Sequence, residues 1–282
     1  MIRLKRRTKF RLVSSMFLFI PSPIENIRNR YGFPKFKYSV YYLYQRILFN
    51  VILRRADALV ITNPSDQVEL RERPLPFLAI YGGVNLEEIQ VASSRPSTED
   101  GPYDVIFCGR LHEQKGISGL LEIWQDVIAT IPDARLGVIG NGSIQYETYL
   151  KRKATSLNLT EKNLTWLGYV NGVDKYRLYL NSKVFAHPTI YDNNGMVAAE
   201  ALCSGLPVVM YDLPSLRAVY QVGCIKVPRF NPRAYAEALV SLLSDKDVFA
   251  YIAPKEVEVR SIQMQWDWGN RMNEFATFLR SI

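Results

Sequence analysis

Residues 191–209, YDNNGMVAAEALCSGLPVV, set a carboxylate, Asp192, ahead of a polar loop with one glycine, Asn193-Asn194-Gly195. A helical stretch with a second carboxylate, Glu200, follows, and then a Gly-Leu-Pro break into an apolar run. A helix that opens on Gly195 turns the free N–H groups of about Gly195, Met196 and Val197 back toward the loop, an arrangement that suits an anion such as a phosphate. Helical side chains lean toward the N-terminus, so Glu200 is placed to reach a vicinal diol, such as a ribose, beside that phosphate. Residues 103–121, YDVIFCGRLHEQKGISGLL, add a second grip. An apolar run, Val105 to Cys108, reads as a buried strand. Gly109 begins a turn, Arg110 and Lys115 supply two cations, and Gly116 precedes an amphipathic helix expected over 117–130. A planar guanidinium fork and a point-charge ammonium together suit a diphosphate. Strand ends of open α/β sheets are where such ligands bind.

Plainer roles compete for each residue. Arg110 and Lys115 could be plain surface charges on a strand-to-helix loop, but the motif and the loop position favour a donor-phosphate role. Glu200 stands between Ala199 and Ala201 in an otherwise apolar helix, where an unpaired carboxylate would be costly to bury, so a ligand contact explains it better. Asp192 also favours turns and caps. His112 has no assigned role, His187 before Pro188 reads as structural as readily as functional, and Asp174 and Lys175 read as helix-start charges. The two histidines and scattered carboxylates lack metal-ligand spacing, so no metal is expected.

The stretches GRLHEQKG, LGVIGNG (136–142) and DNNGMVAAEALCSGLPVV resemble the nucleotide-sugar-binding half of glycosyltransferase family 4, the retaining transferases of the GT-B fold. The resemblance runs from about Arg54 to the C-terminus. That family carries paired carboxylates spaced Glu-x7-Glu; here Asp192 and Glu200 keep the spacing, with Asp in the first place. The resemblance implies a nucleoside diphosphate sugar of UDP or GDP type as co-substrate, no separate cofactor, and transfer to a hydroxyl acceptor with retention by front-face attack. Asp192 would position a sugar hydroxyl and Glu200 hold the ribose diol. Arg110, Lys115 and the N–H groups of Gly195 to Val197 would stabilise the departing diphosphate, one such donor being worth around 10²–10³ in rate. Gly82, Gly83 and Val84 fall where the family has a glycine loop at the interdomain cleft, though a Gly pair is a turn former first. The base would pack near Gly168 to Val170, with Tyr169 and Val170 lining it, and Gly109, Gly142, Asn193 and Asn194 complete the expected donor set.

The elements that must hold these residues alternate. Strands are expected at Asp104–Cys108, Arg135–Ile139, Leu164–Leu167, Val184–His187, Pro207–Tyr211 and Cys224–Val227. Helices lie between them, over about 143–157, near Lys175, after Gly195 and from Asn231-Pro232, a cap followed by a first-turn proline. Such alternation specifies a doubly wound parallel sheet. The fold class expected is therefore α/β and GT-B-like: a complete C-terminal Rossmann-like domain (93–256) plus a partial N-terminal α/β domain (1–92). A final helix around Trp266-Asp267-Trp268, over about 257–280, should cross back to the first domain. Residues 91–102, VASSRPSTEDGP, read as a linker, Arg55–Asn63 as a helix end running into a strand, Leu78–Tyr81 as a short apolar run, and Phe10–Ile20 as a buried strand in preference to a secretory signal.

The chain has 282 residues and a formal charge of +8, distributed unevenly. Residues 1–60 hold 13 Lys/Arg against 2 Asp/Glu, while the remainder is net acidic. Basic and apolar residues interleave in KYSVYYLYQRILFNVILRR (37–55), which suits either an anionic membrane surface or a core-facing helix with a solvated basic face. Nucleic acid is not expected, and no apolar run approaches the ~20 residues of a membrane span. Three cysteines in apolar settings suit a reducing compartment; a cytoplasmic protein is the expectation, peripheral at the inner membrane face on the first of those two readings of 37–55. Fewer than sixty residues precede Arg54, where the family usually holds a fuller set of first-domain elements. A late start, a partner chain supplying the rest, and a naturally reduced enzyme with a lipid- or glycan-borne acceptor all fit. So does a non-catalytic nucleotide-sugar-binding subunit; an epimerase of similar fold fits less well.

Overall fold

The computed structural model describes residues 54–61, 76–80, 82–94 and 103–282, the backbone of 13–16, and positions 43, 47 and 51. A six-stranded parallel sheet organises most of it. Its strands are β4 (Val105–Cys108), β5 (Leu136–Ile139), β6 (Leu164–Gly168), β7 (Val184–His187), β8 (Val208–Tyr211) and β9 (Cys224–Val227), in the order β6-β5-β4-β7-β8-β9. β5, β7 and β8 are buried at every position. Continuous apolar runs of this kind mark a parallel sheet covered on both faces. The cover comes from crossover helices at Ile117–Thr130, Ile144–Ser156, Gly172–Leu180, Met196–Cys203 and Pro232–Ser244. Ile117, Leu120, Leu121, Trp124 and Val127 form the buried stripe of the first, at the three- and four-residue spacing that a helix packed on a sheet requires. Asn163 is buried: its side-chain amide donates to Pro132 O (2.9 Å) and Ala134 O (3.0 Å), and its backbone carbonyl accepts from the Trp124 indole (2.9 Å).

A second parallel sheet contains β1 (Val13–Met16), β2 (Ala58–Ile61) and β3 (Phe77–Ala79), in that order. The ends of the Phe10–Ile20 strand reading lie outside the described residues, as do residues 95–102. What is described of the linker segment begins inside a helix: Leu86–Ser93 is helical, capped by Asn85, and buries Ile89 and Ala92 in the core of the larger sheet. The helix packs against the Gly172–Leu180 helix, so burial of Ile89 and Ala92 outweighs the polar residues that flank it. Among the residues of the basic 37–55 segment, Leu43, Ile47 and Val51 are helical, four apart, and exposed.

The C-terminal helix is two helices, Glu256–Trp266 and Trp268–Ser281. Asp267 breaks them: its backbone is extended and its carboxylate accepts from Asn270 N at 2.7 Å, an N-cap in mid-segment. The break frees Trp266 O to accept from Val84 N (2.7 Å) and aligns Asp267 with Val84 as a parallel bridge. Among the described residues no helix is long and apolar enough to cross a membrane.

Candidate functional site

The chain runs outward from β4 to β5 and β6 and then returns to β7 on the other side of β4. Between β4 and β7 the connections leave the sheet in opposite directions, which opens a crevice at the carboxyl ends of these strands. The loop after β4 enters it first. His112 caps a single 3₁₀ turn, Glu113–Lys115, and Gly116 reverses the chain at φ 72° into the Ile117–Thr130 helix. A Cβ on Gly116 would stand 2.0 Å from Pro188 O, so only glycine lets this loop lie against the one after β7. Gln114 reinforces the contact: its amide donates to Tyr191 O (2.8 Å) and its carbonyl accepts from Ile190 N (3.1 Å).

These contacts carry the Lys115 ammonium across the crevice to Asp192, with Nζ 2.6 Å from Oδ2 and the two side chains 21% and 15% exposed. The second Asp192 oxygen, Oδ1, accepts from Asn193 N (2.8 Å), Asn194 N (3.3 Å) and Gly195 N (3.1 Å). Burial pushes the Asp192 carboxyl up, but the Lys115 ammonium and the Gly195 N–H outweigh it and hold it below the usual carboxylate range. His187, at the end of β7, is 2% exposed, with Nε2 3.8 Å from Asp192 Oδ2. Burial drives its pKa down to about 4 against the pull of that carboxylate, so the ring is neutral at pH 7.

Three further residues shape the loop from a distance. The Ser215 hydroxyl donates to Asp192 O (2.6 Å), and the Tyr220 hydroxyl lies 2.6 Å from Asn194 O and 2.8 Å from Gly195 O. Tyr220 in turn stacks on Trp266, with centroids 5.8 Å apart. Gly195 takes φ 59° and opens the Met196–Cys203 helix without a side-chain cap. Gly82 abuts Met196 and Gly83 abuts Trp268 so closely that a Cβ on either would overlap the neighbouring side chain. The glycine loop, the helix start and the break in the C-terminal helices therefore meet at one place.

The remaining expected residues line the same carboxyl edge of the sheet. Gly109 N donates to Ile139 O, and a Cβ on Gly140 would meet Gly109 O at 1.9 Å, so the β4 and β5 exits run side by side. Arg110 is exposed there and forms no ion pair with a described residue. Gly142 pairs with Leu111 and donates its N–H to Glu147 (2.7 Å). Tyr169 is exposed and Val170 half-buried in the turn after β6, between Gly168 (φ 68°) and Gly172 (φ 59°).

Two residues differ from their expected state. Glu200 is not unpaired: its Oε1 lies 2.9 Å from Lys175 Nζ, with side chains 18% and 14% exposed, so an internal cation offsets its burial. Its Oε2 is buried without a hydrogen-bond partner among the described residues. The Gly195 N–H, expected to face a ligand, is held by Asp192, whose short side chain folds back onto its own loop as an Asx turn. The Met196 and Val197 N–H groups, in the first helical turn, have no intrahelical acceptor. Lys175, Ser215 and Tyr220 are the site residues that sequence reasoning missed. Lys175 carried a detectable signal, a lysine on a short helix beside a turn of two glycines, whereas Ser215 and Tyr220 reach the loop only through the fold. Among the described residues no three His, Cys, Asp or Glu side chains gather as a metal site would need.

A family model described as "Glycosyl transferases group 1" matches residues 90–256, more than half of the chain. An uncharacterised glycosyltransferase of Methanocaldococcus jannaschii is 28% identical over 247 residues, covering 84% of this chain and 60% of its own length. A phosphatidyl-myo-inositol mannosyltransferase of Mycobacterium leprae is 32% identical over 198 residues, 67% of this chain and 49% of its own length. This chain thus spans about half to three-fifths of the length of these two relatives. Among solved structures, HepE of Anabaena in complex with UDP and glucose superposes with a TM-score of 0.74 at 18% identity, over 100% of this chain and 74% of that one. Sucrose-phosphate synthase from Thermosynechococcus elongatus gives 0.73 at 19% identity, over 99% and 69%. At those identities what is shared is the fold, an α/β GT-B architecture whose Rossmann-like half is the six-stranded sheet.

Proposed function

We propose that this chain, which belongs to the group 1 glycosyl transferases, moves a sugar from a nucleoside diphosphate sugar of UDP or GDP type to a hydroxyl acceptor, with retention and without a metal. One observation carries the reading: Lys115 and the start of the Met196–Cys203 helix converge on the crevice between β4 and β7. Breaking an anomeric C–O bond builds positive charge on the sugar and negative charge on the leaving diphosphate. Lys115, Arg110 and the open Met196 and Val197 N–H groups answer that second charge, in a site where the fold has already oriented them. An incoming diphosphate competes with Asp192 for Lys115. The carboxylate, still held by three backbone N–H groups, is then left facing the sugar, where it can accept a hydroxyl. Glu200 lies one and a half turns further along the same helix, at the depth a ribose would reach. Gly168 to Val170, beyond β6, line the side where the base would pack.

This reading assigns the donor to 93–256, an acceptor side to 1–92, and to 257–282 the role of closing onto Gly83 and Val84. It places the chain in glycosyltransferase family 4. The exposed Leu43, Ile47 and Val51 face, in a segment rich in Lys and Arg, supports an acceptor carried on an anionic membrane in the cytoplasm. The test is donor binding and transfer with UDP-, GDP- and ADP-sugars and a membrane lipid extract. Lys115→Ala and Glu200→Gln should each weaken donor binding at least tenfold with the fold intact; full affinity in both variants sinks the assignment. Binding without transfer by the wild type would instead favour a subunit that depends on a partner for its acceptor half.

A further inference from the structure

We infer that Lys175 is a positioning residue for Glu200, setting the carboxylate that discriminates ribose from deoxyribose in the bound nucleotide. The inference rests on the nucleoside-diphosphate reading of the site and extends it to a residue on a different crossover. Lys175 stands in the first turns of the Gly172–Leu180 helix, directly after the turn at 168–170. Glu200 stands on the Met196–Cys203 helix. The ion pair of 2.9 Å therefore joins the two walls of the crevice beneath the proposed nucleotide.

The surroundings make the lysine necessary for the carboxylate. Tyr176, Tyr179, Cys108 and Cys203 are the titratable neighbours that sense the Glu200 charge, and each has its pKa raised, first by burial and in part by that negative charge. None of them is a cation. Lys175 is the one positive charge within ion-pair distance of Glu200 among the described residues, and its ammonium also sits 4.5 Å from the Tyr176 ring centroid, which steadies it over an aromatic face. With Oε1 pinned by Lys175, Oε2 is buried and lacks a donor. The terminal torsion of a glutamate is broad, so the carboxylate can turn about the Lys175 contact and offer one oxygen to an arriving hydroxyl while the ammonium holds the other. Hydrogen bonds to a charged acceptor in a partly dry site are the ones that discriminate most against a ligand lacking the hydroxyl. Without Lys175 the carboxylate would lose its orientation and swing toward solvent, and the discrimination would go with it.

The experiment measures the affinity of the full chain for the nucleoside diphosphate it binds best among UDP, GDP and ADP, and for the matching 2′-deoxynucleoside diphosphate. The wild type should prefer the ribo form by roughly 10- to 100-fold. Lys175→Met should bring that ratio to within about threefold while affinity for the deoxy form changes little. Lys175→Arg, which keeps the charge, should restore most of the ratio and serves as the folding control. Wild-type discrimination that survives Lys175→Met overturns the inference alone, as does an equal loss of both ligands, which would make Lys175 a phosphate or purely structural contact. Equal binding of ribo and deoxy forms by the wild type and by Glu200→Gln overturns the ribose role of Glu200, and this inference with it.

Discussion

Lowering the pH should weaken the fold through His187 before any carboxylate has titrated. His187 is wholly buried and its pKa is depressed from 6.5 to about 4, chiefly by desolvation. At pH 7 the imidazole is neutral in the folded chain and mostly neutral in the unfolded one, so its pH dependence there is slight. As the pH falls below 6.5 the unfolded chain gains a proton that the folded chain refuses. Stability then drops by about 1.4 kcal/mol per pH unit, until the folded ring also protonates near pH 4. The total is about 3 kcal/mol, a large fraction of the ~5–15 kcal/mol that ordinarily holds a domain folded. Asp192 acts in the same direction but later: its folded-state pKa is depressed, so its contribution is present above the ordinary carboxylate range and is lost only as the pH falls through the folded value. Across pH 6.5 to 4.5, the difference between the wild type and a His187 variant therefore isolates the histidine. Urea titrations of the wild type and of His187→Gln at half-unit steps across it should show a slope difference of about 1 kcal/mol per pH unit. The absolute stability of the variant does not matter, because only its pH dependence is read. Parallel curves for the two proteins would refute the reasoning, and would mean that His187 is hydrated or protonated in the folded chain.

Two further outcomes follow. A double-mutant cycle on Lys115→Met and Asp192→Asn should yield a coupling energy of about 1–2 kcal/mol in urea unfolding, between the values for exposed and fully buried pairs, because both groups keep some solvent contact; strict additivity would mean that the pair forms no real link across the crevice. Sedimentation with vesicles should show the wild type bound to anionic phosphatidylserine-containing bilayers and released by salt, with Ile47→Asp reducing binding about tenfold or more. Equal partition of the two proteins, or equal binding to neutral vesicles, would remove the membrane from the proposal.

Local rules were enough to read most of the strands and several helices of the larger sheet. β7 and β9 and the Ile117–Thr130 helix fall at their expected residues, because apolar runs of four and a three-and-four periodicity are properties of neighbouring residues. Asn231 and Pro232 announced their helix for the same reason. The break at Asp267 was not read from the sequence, although Asp is a favoured N-cap; in the structure Val84 bridges it in parallel and its backbone is extended. Residues 91–93 look like a linker by composition and are helical because the core of the larger sheet takes Ile89 and Ala92.

For the site itself, the sequence by itself determined which chemical groups are present and that Lys115 precedes a helix after one strand while Asp192 precedes a helix after another. Only the tertiary structure decided what those groups touch. Lys115 and Asp192 lie 77 residues apart and meet at 2.6 Å because the strand order reverses at β4 and sets the parallel β7 beside it. Glu200 takes Lys175 as its counter-ion, and Tyr220 and Ser215 hold the Asp192 loop, for a reason no local pattern carries. A buried charge or carbonyl must be paired with whatever donor the fold brings within hydrogen-bonding distance, and that distance is set by packing, not by position along the chain.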